Sequence, residues 1–168
     1  MNKLYIITGP AGVGKSTVSN SLANKLEKSV LIEGDEIYHQ VKSSYISAWK
    51  EGNHLDVFWK VCFSTISIYL ENGYDVVFNY IITPDILPKI QNSFKDYITK
   101  FVILLTDENT LINRDKTRPK DMQMNERCII LLKSFKEKNF EKRYILDTTN
   151  LSVDETVTII LNSDIFYI

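Results

Sequence analysis

Short apolar runs alternate along the chain with stretches whose apolar residues recur every three or four positions. The runs at 4–7, 30–32, 75–82, 101–105 and 144–146 are rich in Ile, Val, Leu, Tyr and Phe. Runs of that length read as strands buried on both faces. Between them, helical periodicity is expected over 16–28, 36–41, 55–70, 85–93, 108–114, 122–138 and 152–161. Val18, Leu22 and Leu26 share one face of the first helix. Val57, Val61 and Ile68 are read as inward in the third. Met124, Cys128, Leu131 and Phe135 step along one face of the sixth, and Val153, Val157, Ile160 and Leu161 along the last. Asn72-Gly73 ends the third helix, and Pro84 and Pro88 bracket a turn. Strand, helix and strand within about thirty residues is a βαβ unit, so the sheet is parallel and the class is α/β.

The loop after the first run changes the picture from fold to chemistry. Gly9-Pro10-Ala11-Gly12-Val13-Gly14-Lys15-Ser16 fits G-x-x-x-x-G-K-[ST] at every fixed position, between a strand and a helix. Successive backbone N–H groups of such a loop point inward at an anion, and the new helix adds its positive end. Gly9, Ala11, Gly12, Val13, Gly14, Lys15, Ser16 and Thr17 are therefore expected to cradle a nucleotide. Lys15 bridges its outer phosphates and the Ser16 hydroxyl ligates Mg²⁺.

The ends of the later strands supply further candidates. Ligands of open parallel sheets sit beyond the carboxyl ends of the strands. Glu33-Gly34-Asp35-Glu36 follows the second strand. Asp35 can orient an acceptor hydroxyl, take its proton, or hold Mg²⁺ through water; it also reads as the N-cap of the helix over 36–41. Glu33 and Glu36 are weaker candidates. Asn79 stands near the end of the third strand, where many such proteins carry an aspartate for Mg²⁺, and substrate contact is the better expectation for an amide there. Asp107 is read as a helix cap rather than a metal ligand. The basic segment 114–121 is read as a cover over the nucleotide, part of a lid of about 114–127. Arg118 is assigned to the transferring phosphoryl group and Arg114 to the base. The 147–150 turn, with Thr149, either meets a purine edge or is an ordinary loop. Tyr38, His39, Tyr45, Trp49, His54 and Trp59 crowd one region; they wall a substrate pocket or, more often for such residues, pack the interior.

Composition narrows the class without naming the reaction. The 168 residues suit one domain, 1–168. Net charge is −1, so nothing favours long nucleic acid or an anionic membrane. The first strand begins at once, no apolar run approaches the length of a membrane span, and a cytoplasmic protein is expected. Cys62 and Cys128 are isolated and read as reduced core thiols.

The chain resembles the small kinases of the nucleoside-monophosphate-kinase type, among them gluconate, shikimate, adenylylsulfate and adenylate kinases and chloramphenicol phosphotransferase. GPAGVGKST, LIEGDEIYH, Arg114 with Arg118, and LDTTNLSVDETV carry the resemblance. It implies a three-layer fold with a five-stranded parallel sheet in order 2-3-1-4-5 and a short lid. It also implies ATP as donor, Mg²⁺ as cofactor, and a hydroxyl of a small molecule as acceptor, a sugar acid for instance, with Asp35 touching that acceptor. The shikimate-kinase glycine segment after the third strand is absent. A monomer or homodimer with no nucleic-acid or membrane partner is expected. The alternative is a nucleotide-binding regulator or degenerate kinase without turnover. A kinase of nucleic-acid ends or sugar nucleotides is a third reading. A GTPase is disfavoured because N-K-x-D and D-x-x-G are missing.

Overall fold

Residues 4–8 are all buried. That burial places β1 (Lys3–Thr8) in the middle of the sheet seen in the computed structural model, which describes residues 2–48, 50, 52–120 and 123–168. The other strands are β2 (Ser29–Glu33), β3 (Asp75–Asn79), β4 (Ile98–Leu105) and β5 (Ile145–Asp147). They pair in the order β2-β3-β1-β4-β5, every pair parallel, as expected from the sequence. The helices are α1 (Lys15–Lys25), α2 (Gly34–Tyr38), α3 (His54–Glu71), α4 (Leu87–Ser93), α5 (Glu108–Lys116), α6 (Glu126–Lys136) and α7 (Val153–Asn162). A parallel sheet needs cover on both faces, and these crossovers provide it. Cys62 and Cys128 are free and buried in the core.

Several helix faces differ from the periodicity reading, for one reason. In α3 the buried side chains are Phe58, Cys62, Ile66 and Leu70. Val57 is 60% exposed and Ile68 58%, and Val61 also faces out, which corrects all three. The apolar arc of the helix is wide, bounded by a polar stripe of Asp56, Lys60, Ser64, Ser67 and Glu71, so spacing alone allows more than one inward stripe. The stripe led by Phe58 wins, because that ring packs on Trp59 and Tyr80, with centroids 5.0 and 4.6 Å away. In α6 the buried set is Cys128, Leu132 and Phe135, so Leu132 replaces Leu131. That helix starts at Glu126 because Asn125 takes φ 50°, outside the helical region. Met122 lies outside the described residues.

The short α2 corrects another expectation. Glu33 occupies the N-cap position and Asp35 lies inside the first turn, so Asp35 is not the cap. Gly34 is required at this turn by close approach: a Cβ there would meet the Tyr80 ring at 2.6–2.8 Å. The cap read at Asp107 is present, and the structure adds one at Ser152. Asp107 accepts from the Thr110 N–H at 2.6 Å, and Ser152 with Glu155 forms a capping box.

One buried cation ties the far edge together. Lys100 of β4 is 1% exposed and donates to the Ile160 and Leu161 carbonyls at 3.0 and 2.8 Å. Those are orphan acceptors at the C-terminal end of α7, where positive charge is favoured. Burial lowers the Lys100 pKa.

The tightest packing in the sheet lies under the first glycine of the loop. Gly9 has φ +143°, and a Cβ built on it would sit 2.3 Å from the Leu104 carbonyl oxygen of β4. A methyl group there would force β4 away from the loop. Gly9→Ala is expected to lose about 2–4 kcal/mol of stability, strain and displaced packing combined. Thermal melts of the two proteins check this; a variant melting with the parent would refute the close approach.

Candidate functional site

The loop between β1 and α1 opens into a cavity of about 470 Å³. Ala11, Gly12, Val13, Gly14, Lys15, Ser16 and Thr17 line one wall, joined by Asp35 from α2 and by Arg114 and Arg118. The sequence-predicted residues thus converge on one space, with two exceptions. Gly9 and Thr149 are not among the lining residues. Gly9 is packed against β4, and Thr149 spends its hydroxyl on the Asp107 N–H and the Asp147 carboxylate, at 3.0 and 2.6 Å.

Lys15 is the first residue of α1, whose N-cap, Gly14, carries no capping side chain. The first-turn N–H groups therefore face the cavity without a side-chain acceptor. The Lys15 ammonium donates to the Pro10 carbonyl at 3.0 Å. Burial pushes its pKa down to about 8, opposed by the nearby carboxylates Asp35 and Glu33. It is a cation held in a desolvated place, short of partners, which an incoming phosphate would relieve.

Beside the lysine, Ser16 meets Glu33, read from sequence as a weaker candidate, and Asn79, read as a substrate contact. Asn79, at the end of β3, donates to Glu33 Oε2 at 2.6 Å and to Ser16 Oγ at 3.1 Å. Ser16 Oγ donates in turn to Glu33 Oε2 at 3.3 Å. Glu33 and Asn79 are register partners on adjacent strands, which is why their side chains meet. Burial raises the Glu33 pKa, with the Ser16 hydrogen bond acting against it. The Mg²⁺ expectation rested on Ser16 and Asp35. The structure brings Glu33 to the serine and sets Asp35 along the cavity wall. The Ser16 hydroxyl and Glu33 carboxylate are hard oxygen donors that fit Mg²⁺, which binds through one or two carboxylates, water and substrate phosphate, while Asn79 turns its Nδ2 to both. Among the described residues no cluster of three or more His, Cys, Asp or Glu suits a metal cage.

Arg114 lies on α5, and Arg118 follows two residues past its end. Arg114 donates to the Val13 carbonyl at 2.9 Å, and to Thr148 Oγ1 and the Thr148 carbonyl at 3.0 and 2.7 Å. Burial lowers its pKa. It links the phosphate loop to the turn after β5. Thr148, not singled out from sequence, is 2% exposed, lines the cavity, and donates to the Leu105 carbonyl at 3.0 Å. Two adjacent threonines in a polar turn gave no signal to choose between them. Asp115 corrects the reading of 114–121 as a segment without a core residue. It is 3% exposed and accepts from the Met124 and Asn125 N–H groups at 2.9 and 2.8 Å. Arg118 lies 3.4 Å from the same carboxylate and lines the cavity. Burial works to raise the Asp115 pKa, but those N–H groups and the arginine outweigh it and hold it low. Asp121 lies outside the described residues.

Solved structures of similar architecture share this fold across nearly the whole chain. The tunicamycin resistance protein of Deinococcus radiodurans superposes with a TM-score of 0.68 at 16% identity, covering 95% of this chain and 94% of that one. A gluconokinase from Sinorhizobium meliloti 1021 gives 0.70 at 19%, covering 95% and 89%. The APS kinase of Mycobacterium tuberculosis, solved with AMPPNP and APS, gives 0.70 at 16%, covering 96% of each chain. No curated protein sequence matches the chain. Residues 4–137 match the family model described as "AAA domain", and the chain belongs to that family, with a P-loop, kinase-like fold.

Proposed function

We propose that this protein is an ATP-dependent phosphotransferase that moves the γ-phosphoryl group of Mg-ATP to a hydroxyl of a small molecule. The carrying observation is the convergence of Lys15, Ser16, Asp35, Arg114 and Arg118 on one cavity around an uncapped helix start. A cavity with that lining suits a nucleoside triphosphate and leaves a carboxylate beside its phosphates.

The chain's residues divide the work. Loop N–H groups and Lys15 hold the β- and γ-phosphates. Thr148, Leu151, Val153 and Thr156 line the rest of the cavity with a surface suited to the base and ribose. Asp35 accepts the proton of the acceptor hydroxyl as its oxygen bonds to the γ-phosphorus and the bond to the ADP oxygen breaks. Arg118 lies over the equatorial oxygens, where charge is spread in the transition state. Ser16, with Glu33 through water, would hold Mg²⁺, which supplies charge neutralisation across the β- and γ-phosphates. Asn79 keeps Glu33 turned toward Ser16. A neutral residue at the end of β3 motivated the reading of a nucleotide binder without turnover. Glu33 on the neighbouring strand weakens that motive. No helix among the described residues is long and apolar enough to cross a membrane.

Three outcomes test the roles. With Mg-ATP and a panel of polyols, sugar acids, nucleosides and antibiotic alcohols, turnover is expected on at least one acceptor. Lys15→Ala should reduce it by about 10²-fold or more, and Asp35→Asn by ~10²–10⁴-fold. ATP binding with no turnover on any acceptor would favour the regulatory reading, and full turnover in Asp35→Asn would remove the base.

Glu33→Gln is expected to weaken the apparent Mg²⁺ affinity about 10–100-fold while leaving ATP affinity at saturating Mg²⁺ nearly unchanged. An unaltered Mg²⁺ titration would show that Glu33 has no part in holding the ion.

Lys15 with a pKa of about 8 in the free protein sets the pH dependence. The ammonium is the form that binds phosphate. ATP affinity should hold steady below about pH 8 and fall above it, approaching tenfold per pH unit as one proton must be taken up on binding. Calorimetric titrations between about pH 7 and about pH 9 at fixed Mg²⁺ check the slope; a flat profile would place the proton elsewhere.

A further inference from the structure

The cavity at the phosphate loop has two ends of different chemistry. One is held by Lys15 and by Asp35, the carboxylate whose charge bears most on it. The other lies against the turn after β5 and the start of α7, where Arg114, Thr148, Leu151, Val153 and Thr156 line it. A nucleoside triphosphate that sets its phosphates on Lys15 brings its base and ribose to this second end.

The polar atoms there are already taken. The Thr148 hydroxyl donates to the Leu105 carbonyl at 3.0 Å, and that of Thr156 to the Ser152 carbonyl at 2.8 Å. Thr117, on the same cavity, donates its hydroxyl to the Arg114 carbonyl at 2.7 Å. The backbone N–H groups of the turn are taken as well. Thr148 gives its N–H to the Leu105 carbonyl at 2.8 Å and Leu151 to the Thr148 carbonyl at 3.3 Å. The Thr149 N–H goes to the Asp147 carboxylate at 2.9 Å, and the Ser152 N–H to the Glu155 carboxylate at 2.8 Å. Arg114 closes the fork of its two terminal nitrogens on Thr148. Asp35, at the phosphate end, is the only carboxylate or amide side chain among the described residues that line the cavity.

Telling one base from another takes donors and acceptors set in a fixed pattern. The hydroxyls at this end can only accept, because each has a single hydrogen and has given it away. Adenine, guanine and cytosine all carry an exocyclic amino group that suits such a lone pair, so an acceptor alone does not separate them. Leu151 and Val153 add apolar contact, and every base has a flat face to meet it.

We propose that this site selects its donor by the triphosphate and takes purine and pyrimidine nucleotides with similar affinity, their bases held by apolar contact with Leu151 and Val153. The inference rests on the reading of the cavity as a nucleoside-triphosphate site and widens the donor from ATP to the class. A pocket built to hydrogen-bond one partner rejects an analogue lacking the group by about 10⁴–10⁵-fold, whereas an apolar pocket discriminates by only about 10–200-fold for a whole methylene. The turn after β5 belongs to the second kind.

Calorimetric titration with the Mg²⁺ complexes of the β,γ-imido analogues of ATP, GTP and CTP tests this, with tripolyphosphate as the ligand without a base. The three nucleotides are expected to bind within about tenfold of one another, and tripolyphosphate to displace each of them. Leu151→Ala and Val153→Ala should weaken all three alike, by about twofold to tenfold, and leave tripolyphosphate unchanged. Circular-dichroism melts confirm that each variant is folded. A preference of about a hundredfold or more for one base overturns the proposal. So does a tripolyphosphate that fails to compete, or folded variants whose loss is absent or falls on one nucleotide alone. The titrations need no acceptor. Similar binding of all three nucleotides without turnover on any acceptor would strike the phosphotransferase reading and leave this one standing. Failure of every ligand to bind would overturn the triphosphate site and this inference with it.

Discussion

A loop that binds phosphate has to hold its backbone N–H groups unspent, and the rest of this structure exists to make that tolerable. Unpaired buried donors are costly, so the surrounding carbonyls and cations are each given a partner. Lys15 takes the Pro10 carbonyl, and Arg114 takes that of Val13. With those two carbonyls occupied and no side chain capping α1, its first-turn N–H groups face the cavity, which favours an anion there. The loop can hold this shape because Gly9 lets it lie directly on β4, at a distance no other residue would permit. The sheet order follows from the same need: with β1 between β3 and β4, the loop is bordered by the ends of both neighbours.

Two consecutive residues of α5 turn to different partners. Arg114 turns toward the loop and the Thr148 turn, while Asp115 turns into the protein and collects the Met124 and Asn125 N–H groups. Arg118, one turn further on, leans on the same carboxylate and is still 37% exposed. A buried carboxylate with two backbone donors is a firm anchor, and an arginine shared between it and solvent is a loose one. Of the two arginines, Arg118 is therefore the freer to change partners, while Asp115 is held fast.

Much of this was legible in the sequence, and the failures have identifiable physical causes. The strands and the phosphate loop depend on local patterns, continuous apolar runs and a fixed motif, whereas the strand order is what the resemblance to small kinases implies. Those patterns survive without tertiary information. The faces of α3 and α6 did not, because an apolar arc wider than one stripe leaves a choice that only the neighbouring elements settle. Asp35 was read as a cap because an acid before a helix usually is one. The close approach of Gly34 to Tyr80 moves the helix start back and leaves Asp35 inside the first turn. Thr148 against Thr149 rests on the direction of one peptide, which composition does not encode.

The least legible feature is the one that bears most on chemistry. Asn79 stands where an acid is the usual expectation, and taken alone it suggests a site that has lost its metal. The parallel register of β2 on β3 sets Glu33 directly beside it, and a glutamate is one methylene longer than an aspartate. The carboxylate can therefore be supplied from the neighbouring strand, reaching the Ser16 hydroxyl, while the amide that displaced it becomes the donor holding it in place. Asp35 and Glu33 are the two carboxylates whose charge bears on Lys15, Asp35 the more strongly. A pair of positions forty-six residues apart is invisible to any motif within one strand, yet it is the natural unit here, because a parallel ladder makes cross-strand neighbours closer partners than sequence neighbours.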